Sequence, residues 1–340
     1  MTSTSTKNLH ELKAEISRVY HMPYLDLIFK AQEIHRRHHN PETVQLSHLL
    51  SIKTGGCRED CAYCPQSAHY KTPVVADRIW DVDRIIESAI LAKKAGATRF
   101  CMGAAWSSPP KKGAVYQSLL TAAREVKQLG LEVCMTLGML NQQQASELQA
   151  AGVDYYNHNL DTSREYYQKI ITTRSYDDRL KTLDHVRRSG MKVCCGGIIG
   201  MGESLDDRIG LLTELCLLDP PPESVPINQF VKVQGTPLLP SESFDSRDMI
   251  RMIATTRIML PQSVIRLSAG RKDMTEDGQS LCFLAGANSL FIGEKLLTTS
   301  NPEPAKDLAM LQKLGLKPST HQALEHDDKE DAGNNSFEQV

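Results

Sequence analysis

The sequence has no long hydrophobic run, and no apolar stretch approaches the ~20 residues that a membrane-spanning helix needs. It also has no excess of one charge, since 39 Lys and Arg stand against 41 Asp and Glu and leave a formal net charge of −2. That balance provides no electrostatic footprint for nucleic acid or an anionic membrane. The N-terminus has no apolar signal-peptide core and carries Glu11 and Glu15, which argues against an organelle transit peptide. We therefore expect a cytoplasmic protein that binds neither nucleic acid nor membrane.

Cysteines are present in an odd number, nine, and are spread over a chain of 340 residues. In a reducing compartment such thiols are more often metal ligands or core residues than partners in disulfides. The chain is 41% apolar and long enough to bury a large core with an enclosed site.

Short runs rich in Val, Ile and aromatic residues alternate with longer amphipathic segments through most of the chain. The predicted strands are 48–54, 98–103, 131–137, 153–160, 191–199, 225–231, 264–269 and 289–293. The predicted helices are 82–95, 116–129, 142–150, 176–189, 205–218, 246–260 and 275–285. Eight strands joined by crossover helices predict a parallel sheet, and the number favours a (β/α)8 barrel of TIM type over an open doubly wound sheet.

The barrel is predicted to occupy residues 44–318 as a single domain. Residues 1–43 are predicted to form an N-terminal helical extension, which Asn40-Pro41 ends. Within it, the basic run at 35–39 is interpreted as a solvated helix face rather than a metal site, because its neighbours supply no convergent set of ligands. Residues 319–340 are polar, with too few apolar side chains to pack, and are predicted to be disordered.

Three cysteines follow the first predicted strand with the spacing C-x3-C-x2-C, namely Cys57, Cys61 and Cys64. Their loop lies at the C-terminal mouth of the predicted barrel, where active sites form. Structural zinc normally takes four protein ligands and a dithiol redox site needs two cysteines, so neither fits this spacing. A four-iron cluster normally takes four cysteines. Because no fourth cysteine lies nearby, we predict an iron–sulfur cube with one iron left open.

Three more cysteines lie mid-strand, each in a different predicted strand: Cys101, Cys134 and Cys194. Arg266 has the same setting in the seventh strand, and side-chain alternation allows all four to point into the barrel. A single free cysteine is most often a small core residue. However, an arginine inside a barrel is costly unless it meets an anion or a metal-bound sulfur. Convergence from four strands therefore favours a second cluster, although three thiolates are one short of four.

The three-cysteine loop, with Tyr63 before its last cysteine, resembles the signature of the radical S-adenosylmethionine superfamily. The resemblance implies that S-adenosylmethionine chelates the open iron of a [4Fe-4S] cluster and yields a 5′-deoxyadenosyl radical. Longer strings resemble the biotin synthase family from about residue 44 to 318. They are CAYCPQS (61–67), CMGAAW (101–106), YNHNLDTS (156–163), CCGGIIGMGE (194–203), ESVPINQFVKVQGTPL (223–238), RLSAGR (266–271) and GANSLFIGEKLLTT (286–299).

The closer resemblance implies a sulfurtransferase that converts dethiobiotin to biotin. It implies a [2Fe-2S] cluster that supplies the sulfur and is held by Cys101, Cys134, Cys194 and Arg266. It also implies a flavodoxin or ferredoxin type of electron donor, iron–sulfur assembly proteins as partners, and a homodimer. The alternatives are another radical sulfur-insertion or maturase enzyme on the same barrel, and an iron–sulfur carrier that is not an enzyme.

Several polar residues are candidates for contacts with small molecules. By strand alternation, Asn157, Asn159 and Asp161 share one inward face, which argues against a carrier. The resemblance implies that the residues binding S-adenosylmethionine are Tyr63, Ala104, Asn159, Asp161, Arg174 and Ile198. It implies that those binding dethiobiotin are Asn159, Asn228, Thr298 and Thr299.

Two positions depart from the pattern of the resembled families. The acidic residue that is common after the second strand is absent, because Gly103-Ala104-Ala105 occupies that region. We therefore expect binding of the methionine moiety to depend on backbone groups and on Arg174. Cys195 stands where a small residue such as Ser is expected, and strand alternation assigns it no ligand role.

Overall fold

The computed structural model describes residues 8–238 and 244–320. Most of the tail predicted to be disordered, residues 321–340, therefore lies outside the described residues. The N-terminal segment forms two helices, α1 (Leu9–Tyr20) and α2 (Tyr24–His38). A capping box between Asn8 and Glu11 starts α1, and Pro23 separates the two helices.

A closed parallel barrel follows these helices. Its strands are β1 (Thr43–Lys53), β2 (Arg99–Ala104), β3 (Glu132–Thr136), β4 (Tyr155–Asn157), β5 (Lys192–Cys194), β6 (Gly197–Ile199), β7 (Ser224–Gln229), β8 (Val264–Leu267) and β9 (Ser289–Ile292). A two-residue strand, β10 (Lys317–Pro318), pairs with β1 outside the barrel. The order is β1-β2-β3-β4-β5-β7-β8-β9, and β9 pairs back with β1. The predicted (β/α)8 fold is thus confirmed.

Helices connect successive strands and cover the outside of the barrel. They are α3 (Val82–Lys94), α4 (Ala114–Gln128), α5 (Gln142–Ala150), α6 (Arg164–Tyr167), α7 (Tyr176–Arg188), α8 (Leu205–Leu217), α9 (Ser246–Met259), α10 (Glu276–Leu284) and α11 (Pro304–Lys313). Asn141, Ser175 and Ser204 form capping boxes at the starts of α5, α7 and α8. Within the described part of the chain, no helix combines the length and the apolar character that a membrane crossing requires.

Side chains on the outward face of the strands pack against the helices, whereas those on the inward face fill the barrel. Outward residues such as Phe100, Val133 and Val193 are buried against the helices and form the main hydrophobic core. Burying a side chain of this size stabilises a fold by roughly 1.5–3 kcal/mol. Cys195 belongs to this outer core, as its strand position predicts.

Three predicted strands differ from the observed ones by more than two residues at one end or by being divided, and the others agree within two residues. β1 begins at Thr43, five residues earlier than predicted. The predicted strand 153–160 ends at Asn157, and 191–199 divides into β5 and β6. The division falls where β7 comes very close, since a Cβ on Gly196 would lie 2.0 Å from the carbonyl oxygen of Pro226.

The expected solvated face at residues 35–39 is wrong for two of its members. His35 is buried, and its ring stacks on that of His39 at 5.4 Å. His39 hydrogen-bonds to the Pro261 carbonyl and contacts the guanidinium of Arg257, which lies on α9. These contacts attach α2 to the barrel.

Candidate active site

The inward side chains of the strands form layers across the barrel, as expected for a period of two residues. The lowest layer, at the N-terminal end, consists of Gln45, Arg99, Glu132, Tyr155 and Lys192. The middle layer contains Ser47, Cys101, Cys134, Asn157, Cys194, Arg266 and Ser289. Above them, towards the C-terminal mouth, lie Leu49, Thr136, Asn159, Asn228 and Ser268.

The three mid-strand cysteines meet in the middle layer. Cys101 and Cys134 are direct partners across β2 and β3, and the Cys134 thiol hydrogen-bonds to the thiols of Cys101 and Cys194. The Nδ2 atom of Asn157 lies 3.3 Å from the sulfur of Cys194. All three cysteines are buried. The structure thus brings together three thiols from three strands, as strand alternation predicts.

Arg266 completes this group. Its Nη1 atom lies 4.0 Å from the Cys194 sulfur, and its guanidinium stacks on Phe291. It donates hydrogen bonds to the hydroxyls of Ser47 and Ser289, both at 3.1 Å, and to Oε1 of Gln45 at 3.5 Å. In residues 8–238 and 244–320 no carboxylate forms an ion pair with Arg266. A buried cation with neutral partners suits a site whose occupant is an anion.

The pKa values of these three thiols are shifted in different directions. Hydrogen bonds with the other two thiols, followed by burial, raise the pKa of Cys134 well above its ordinary value. The hydrogen bond from Cys134 and the charge of Arg266 hold the pKa of Cys194 well below it, against the effect of burial. For Cys101, burial raises the pKa, but Cys134 and Arg266 outweigh that effect and the net pKa is lowered. Cys101 and Cys194 are therefore biased towards the thiolate, which is the form that binds metal, and Cys134 towards the thiol.

The three-cysteine loop leaves β1 and folds back on itself. Gly55 and Gly56 have positive φ values of 69° and 66°, and a Cβ on Gly55 would lie 2.9 Å from the Cα of Ala76. The backbone of Cys57 donates to the Gln66 carbonyl at 2.9 Å. This wrapping places Cys57, Cys61 and Cys64 around one side of the barrel mouth.

Burial raises the pKa of all three loop thiols, and that of Cys64 to about 12. Ionising them at neutral pH therefore requires a compensating positive charge, which bound iron provides. Across the part of the chain that the structure describes, no three His, Cys, Asp or Glu side chains could hold one metal ion. The arrangement of Cys57, Cys61 and Cys64 is nevertheless compatible with a four-iron cube, because each cysteine of such a cluster binds a different iron.

The loop is tied to the segment after β4. The hydroxyl of Tyr63 donates to Oδ2 of Asp161 at 2.6 Å, and Nη2 of Arg179 lies 2.5 Å from the same oxygen. Asp161 has a positive φ of 67° and lies beyond the end of β4. The expectation that Asp161 shares a strand face with Asn157 and Asn159 is therefore wrong, because alternation ends with the strand.

Arg179 is a site residue that the sequence interpretation missed. It is buried, and it also donates to the Asn159 carbonyl. A signal was present, since on α7 Arg179 stands three residues after buried Tyr176 and three before buried Thr182. A charged residue at a core-facing helix position needs a specific partner.

Arg174 lies against the three-cysteine loop. Its Nε atom is 3.3 Å from Glu59, and both side chains are buried. That Nε has no hydrogen-bond partner of good geometry. Arg174 thus lies beside the three-cysteine loop, with its charge facing an acidic residue.

Two adjoining cavities lie at the mouth and inside the barrel. The upper cavity, of about 190 Å³, borders Tyr63, Cys64, Ile198, Thr298 and Thr299. The deep cavity, of about 120 Å³, borders the three mid-strand cysteines, Arg266, Asn157 and Asn159. Both are lined by Leu49, Asn228, Ser268 and Leu297. Ala104 borders neither and lies half-buried at the end of β2.

The two candidate amides on these cavities also bind the backbone. Oδ1 of Asn159 accepts from the Gly196 N–H at 3.1 Å. Nδ2 of Asn228 donates to the Gly197 carbonyl at 3.0 Å, and its Oδ1 accepts from Ala269 at 3.2 Å. The side chains of Asn159 and Asn228 therefore hold Gly196 and Gly197 in place beside the cavities, at the point where the predicted strand divides into β5 and β6.

Comparison with known families gives two matches that together span most of the chain. Residues 51–215 match the radical SAM superfamily. Residues 226–317 match the biotin and thiamin synthesis associated domain.

Curated relatives are similar over nearly the whole chain. Biotin synthase from Marinobacter nauticus is 55% identical over 331 residues, which is 97% of this chain and 93% of the relative. Biotin synthase from Pseudoalteromonas translucida is 58% identical over 307 residues, which is 90% of this chain and 88% of the relative.

Solved structures share the fold. Methylornithine synthase superposes with a TM-score of 0.77 at 20% identity, covering 93% of this chain and 96% of that one. The FeFe-hydrogenase maturase from Carboxydothermus hydrogenoformans superposes with a TM-score of 0.75 at 14% identity, covering 92% of this chain and 76% of that one. At these identities the likeness concerns architecture alone, whereas the curated relatives extend it to the family. The chain therefore belongs to the biotin synthase family, and it is an enzyme of the radical SAM superfamily.

Proposed function

We propose that this enzyme converts dethiobiotin to biotin by radical insertion of sulfur. The observation that carries the proposal is the adjacency of the two cavities. The upper one borders Cys64 of the three-cysteine loop, and the deep one borders Cys101, Cys134 and Cys194. A substrate in this space faces the radical source on one side and the sulfur source on the other.

Two groups of residues fit the two clusters. Cys57, Cys61 and Cys64 would hold a [4Fe-4S] cluster, since their buried thiols need a positive metal to ionise. The mid-strand cysteines with Arg266 would hold a [2Fe-2S] cluster, since the buried guanidinium there lacks a carboxylate partner among the described residues. When bound, S-adenosylmethionine on the first cluster supplies a 5′-deoxyadenosyl radical and the second cluster supplies the sulfur atom.

The residues proposed for S-adenosylmethionine are Tyr63, Ala104, Asn159, Asp161, Arg174 and Ile198. Asp161 would accept hydrogen bonds from the ribose hydroxyls. Its contacts with Tyr63 and Arg179 both fall on Oδ2, so Oδ1 can take this role. Ile198 lines the upper cavity and would pack against the adenine. Arg174, buried beside Glu59, would orient the methionine carboxylate.

The residues proposed for dethiobiotin line the two cavities: Asn228 borders both, Asn159 the deep one, and Thr298 and Thr299 the upper one. Asn228 and Asn159 would bind the ureido ring, for which amide groups are suitable partners. Thr298 and Thr299, at the upper end, would donate to the carboxylate tail. This orientation puts the tail near the mouth and the reacting carbons towards the mid-strand cysteines. Enclosure by the barrel would keep water from the carbon radicals.

Partner proteins belong to the same proposal. Arg58, Ala68 and His69 of the three-cysteine loop are exposed, so an electron donor of flavodoxin or ferredoxin type could approach the first cluster there. Iron–sulfur assembly proteins would load both clusters, and the enzyme would act as a homodimer.

The decisive experiment is anaerobic reconstitution with iron and sulfide, followed by assay with S-adenosylmethionine, a reductant and dethiobiotin. Formation of both 5′-deoxyadenosine and biotin supports the proposal. Deoxyadenosine without biotin would identify another radical sulfur-insertion or maturase activity on this barrel. A complete lack of deoxyadenosine in protein with an intact four-iron spectrum would overturn the radical chemistry.

A further inference from the structure

A cavity of about 450 Å³ opens at the N-terminal end of the barrel, opposite the substrate cavities. We name it the lower cavity. Its inner wall is the lowest layer of inward side chains, and its rim comes from α2 and from the segments before β7 and β8. Its lining includes Arg37, Arg99, Glu132, Tyr155, Lys192 and Gln262.

One layer of side chains separates the lower cavity from the mid-strand cysteines. Arg99, Glu132 and Lys192 each lie two residues before a cysteine of the middle layer, on the same strand face. Tyr155 is the direct partner of Cys134 across β3 and β4, and its ring packs with the three cysteines. The Arg99 guanidinium stacks on that ring, 3.6 Å from its centroid. This stacked pair therefore borders the cavity on one side and, through Tyr155, the cysteines on the other.

Gln45 makes a second connection through the same layer. Its Nε2 donates to Glu132 at 2.8 Å, and its Oε1 lies 3.5 Å from Nη2 of Arg266. Gln45 therefore contacts both Glu132, which lines the lower cavity, and Arg266, which lies beside the mid-strand cysteines.

The charges around the lower cavity favour a small anion. Both lining carboxylates have cationic partners, since Glu132 lies 2.9 Å from Nε of Arg99 and Glu223 lies 2.5 Å from Arg187. The lining also contains Arg37, whose guanidinium lies 4.0 Å from Glu33, and Lys192, whose ammonium lies 5.6 Å from the centre of the Tyr155 ring. Behind the rim, buried Arg257 binds the carbonyls of Pro261 and Ser263. Three cationic side chains thus stand against two carboxylates in the lining, and a cavity with net positive charge concentrates anions.

The other approach to the mid-strand cysteines passes through the upper cavity, which the proposed function assigns to dethiobiotin. We infer that the lower cavity is the route by which hydrosulfide reaches Cys101, Cys134 and Cys194 when the sulfide of the deep cluster is replaced. Arg37 and Lys192 draw the anion in, and the Arg99–Tyr155 pair is the gate. This inference rests on the proposed function for the identity of the deep cluster.

The test measures cluster formation rather than catalysis. Full-length protein without iron receives 57Fe(III) and sodium sulfide anaerobically, so that the iron already has the oxidation state of the resting cluster, and Mössbauer spectra of samples frozen at successive times give the initial rate of [2Fe-2S] formation. Gln262→Trp places a large side chain at the rim of the lower cavity, where Gln262 is exposed. Val231→Trp is the matched change at the upper cavity. We expect Gln262→Trp to slow [2Fe-2S] formation by about tenfold and Val231→Trp to leave it unchanged.

A pair of charge variants tests the nature of the ion. Arg37→Glu reverses a charge on the cavity lining, while Arg36→Glu makes the same change on the same helix away from the cavity. We expect only Arg37→Glu to slow the reaction, and high salt to reduce the difference. Equal rates in all four variants, or slowing by Val231→Trp alone, would overturn the inference.

The outcomes separate this inference from the proposed function. If wild-type protein makes biotin but Gln262→Trp has no effect, the function stands and the route is wrong. If Gln262→Trp slows formation of a [2Fe-2S] cluster in a protein that makes no biotin, the route stands and the function is wrong.

Discussion

The hydroxyl of Tyr63 lies 2.6 Å from Oδ2 of Asp161 and joins the three-cysteine loop to the segment that follows β4. Arg179 contacts the same carboxylate oxygen from α7. A phenol, a carboxylate and a guanidinium, all buried or partly buried, thus couple the position of Cys61 and Cys64 to the inside of the barrel. Burial, followed by the Asp161 charge, raises the pKa of Tyr63 well above its ordinary value, so the phenol keeps the proton that it donates.

Replacing Tyr63 by phenylalanine should lower the free energy of unfolding by about 1.5–3 kcal/mol, because the lost hydrogen bond has a charged acceptor. Urea unfolding under anaerobic conditions measures the change. Tyr166→Phe is the matched control, since Tyr166 donates to the neutral carbonyl of Met201 at 2.9 Å and should cost about 1 kcal/mol. Equal losses in the two variants would contradict the importance assigned to the charged pair.

Cys134→Ala and Cys195→Ala should have different effects on iron content. Cys134 lies inside the barrel beside Cys101, whereas Cys195 lies in the outer core. We expect Cys134→Ala to retain the four-iron spectrum, to lose the two-iron spectrum and to form no biotin. Cys195→Ala should retain both spectra. Iron and sulfide analysis together with Mössbauer spectroscopy makes the comparison, and unimpaired biotin formation by Cys134→Ala would refute the assignment.

Removing a tail-binding hydroxyl should weaken substrate binding without altering the chemistry. Thr298→Val keeps the side-chain shape in the upper cavity but removes the donor. A hydrogen bond to a charged group contributes about 1.5–3 kcal/mol, so KM for dethiobiotin should rise roughly tenfold or more while kcat changes little. Ser300→Ala, an exposed neighbour outside the cavity, should behave as wild type. A loss of kcat with unchanged KM would place Thr298 elsewhere in the mechanism.

Acid should destabilise the attachment of α2. Burial, followed by the charge of Arg257, lowers the pKa of His35 and of His39 to about 3. The unfolded chain binds a proton at each below about pH 6.5, while the folded chain does not. Stability is therefore lost as the pH falls from about 6.5 towards 3, by at most ~1.4 kcal/mol per pH unit for each histidine.

The variant His39→Gln isolates one of these contributions. Its unfolding free energy, measured between pH 5 and 7, should depend less steeply on pH than that of wild type. His10→Gln, at an exposed position on α1, should leave the slope unchanged. If the unfolding free energy depends on pH equally steeply in wild type and His39→Gln, then His39 has the same pKa in the folded and the unfolded chain.

The order of strands and helices, the barrel and the inward direction of Cys101, Cys134 and Cys194 could all be predicted from the sequence. Each depends on periodicity within a few consecutive residues: a period of two along a strand, and apolar spacing along a helix. The spacing of Cys57, Cys61 and Cys64 is likewise local, because one short loop carries all three. Tyr63 came from the resemblance to the superfamily signature, not from periodicity.

The tertiary structure alone decided the contacts between segments that are distant in the chain. His35 and His39 look solvated in sequence, but packing of α2 and its C-terminal end against α9, which carries Arg257, buries His35 and partly buries His39. Asp161 looks like a strand residue, but the end of β4 and the approach of Arg179 set its position. The lower cavity also has no local signature, because its lining comes from several strands and loops brought together only when the barrel closes. Periodicity reports which face of an element is buried, whereas the partner on that face depends on how the elements pack.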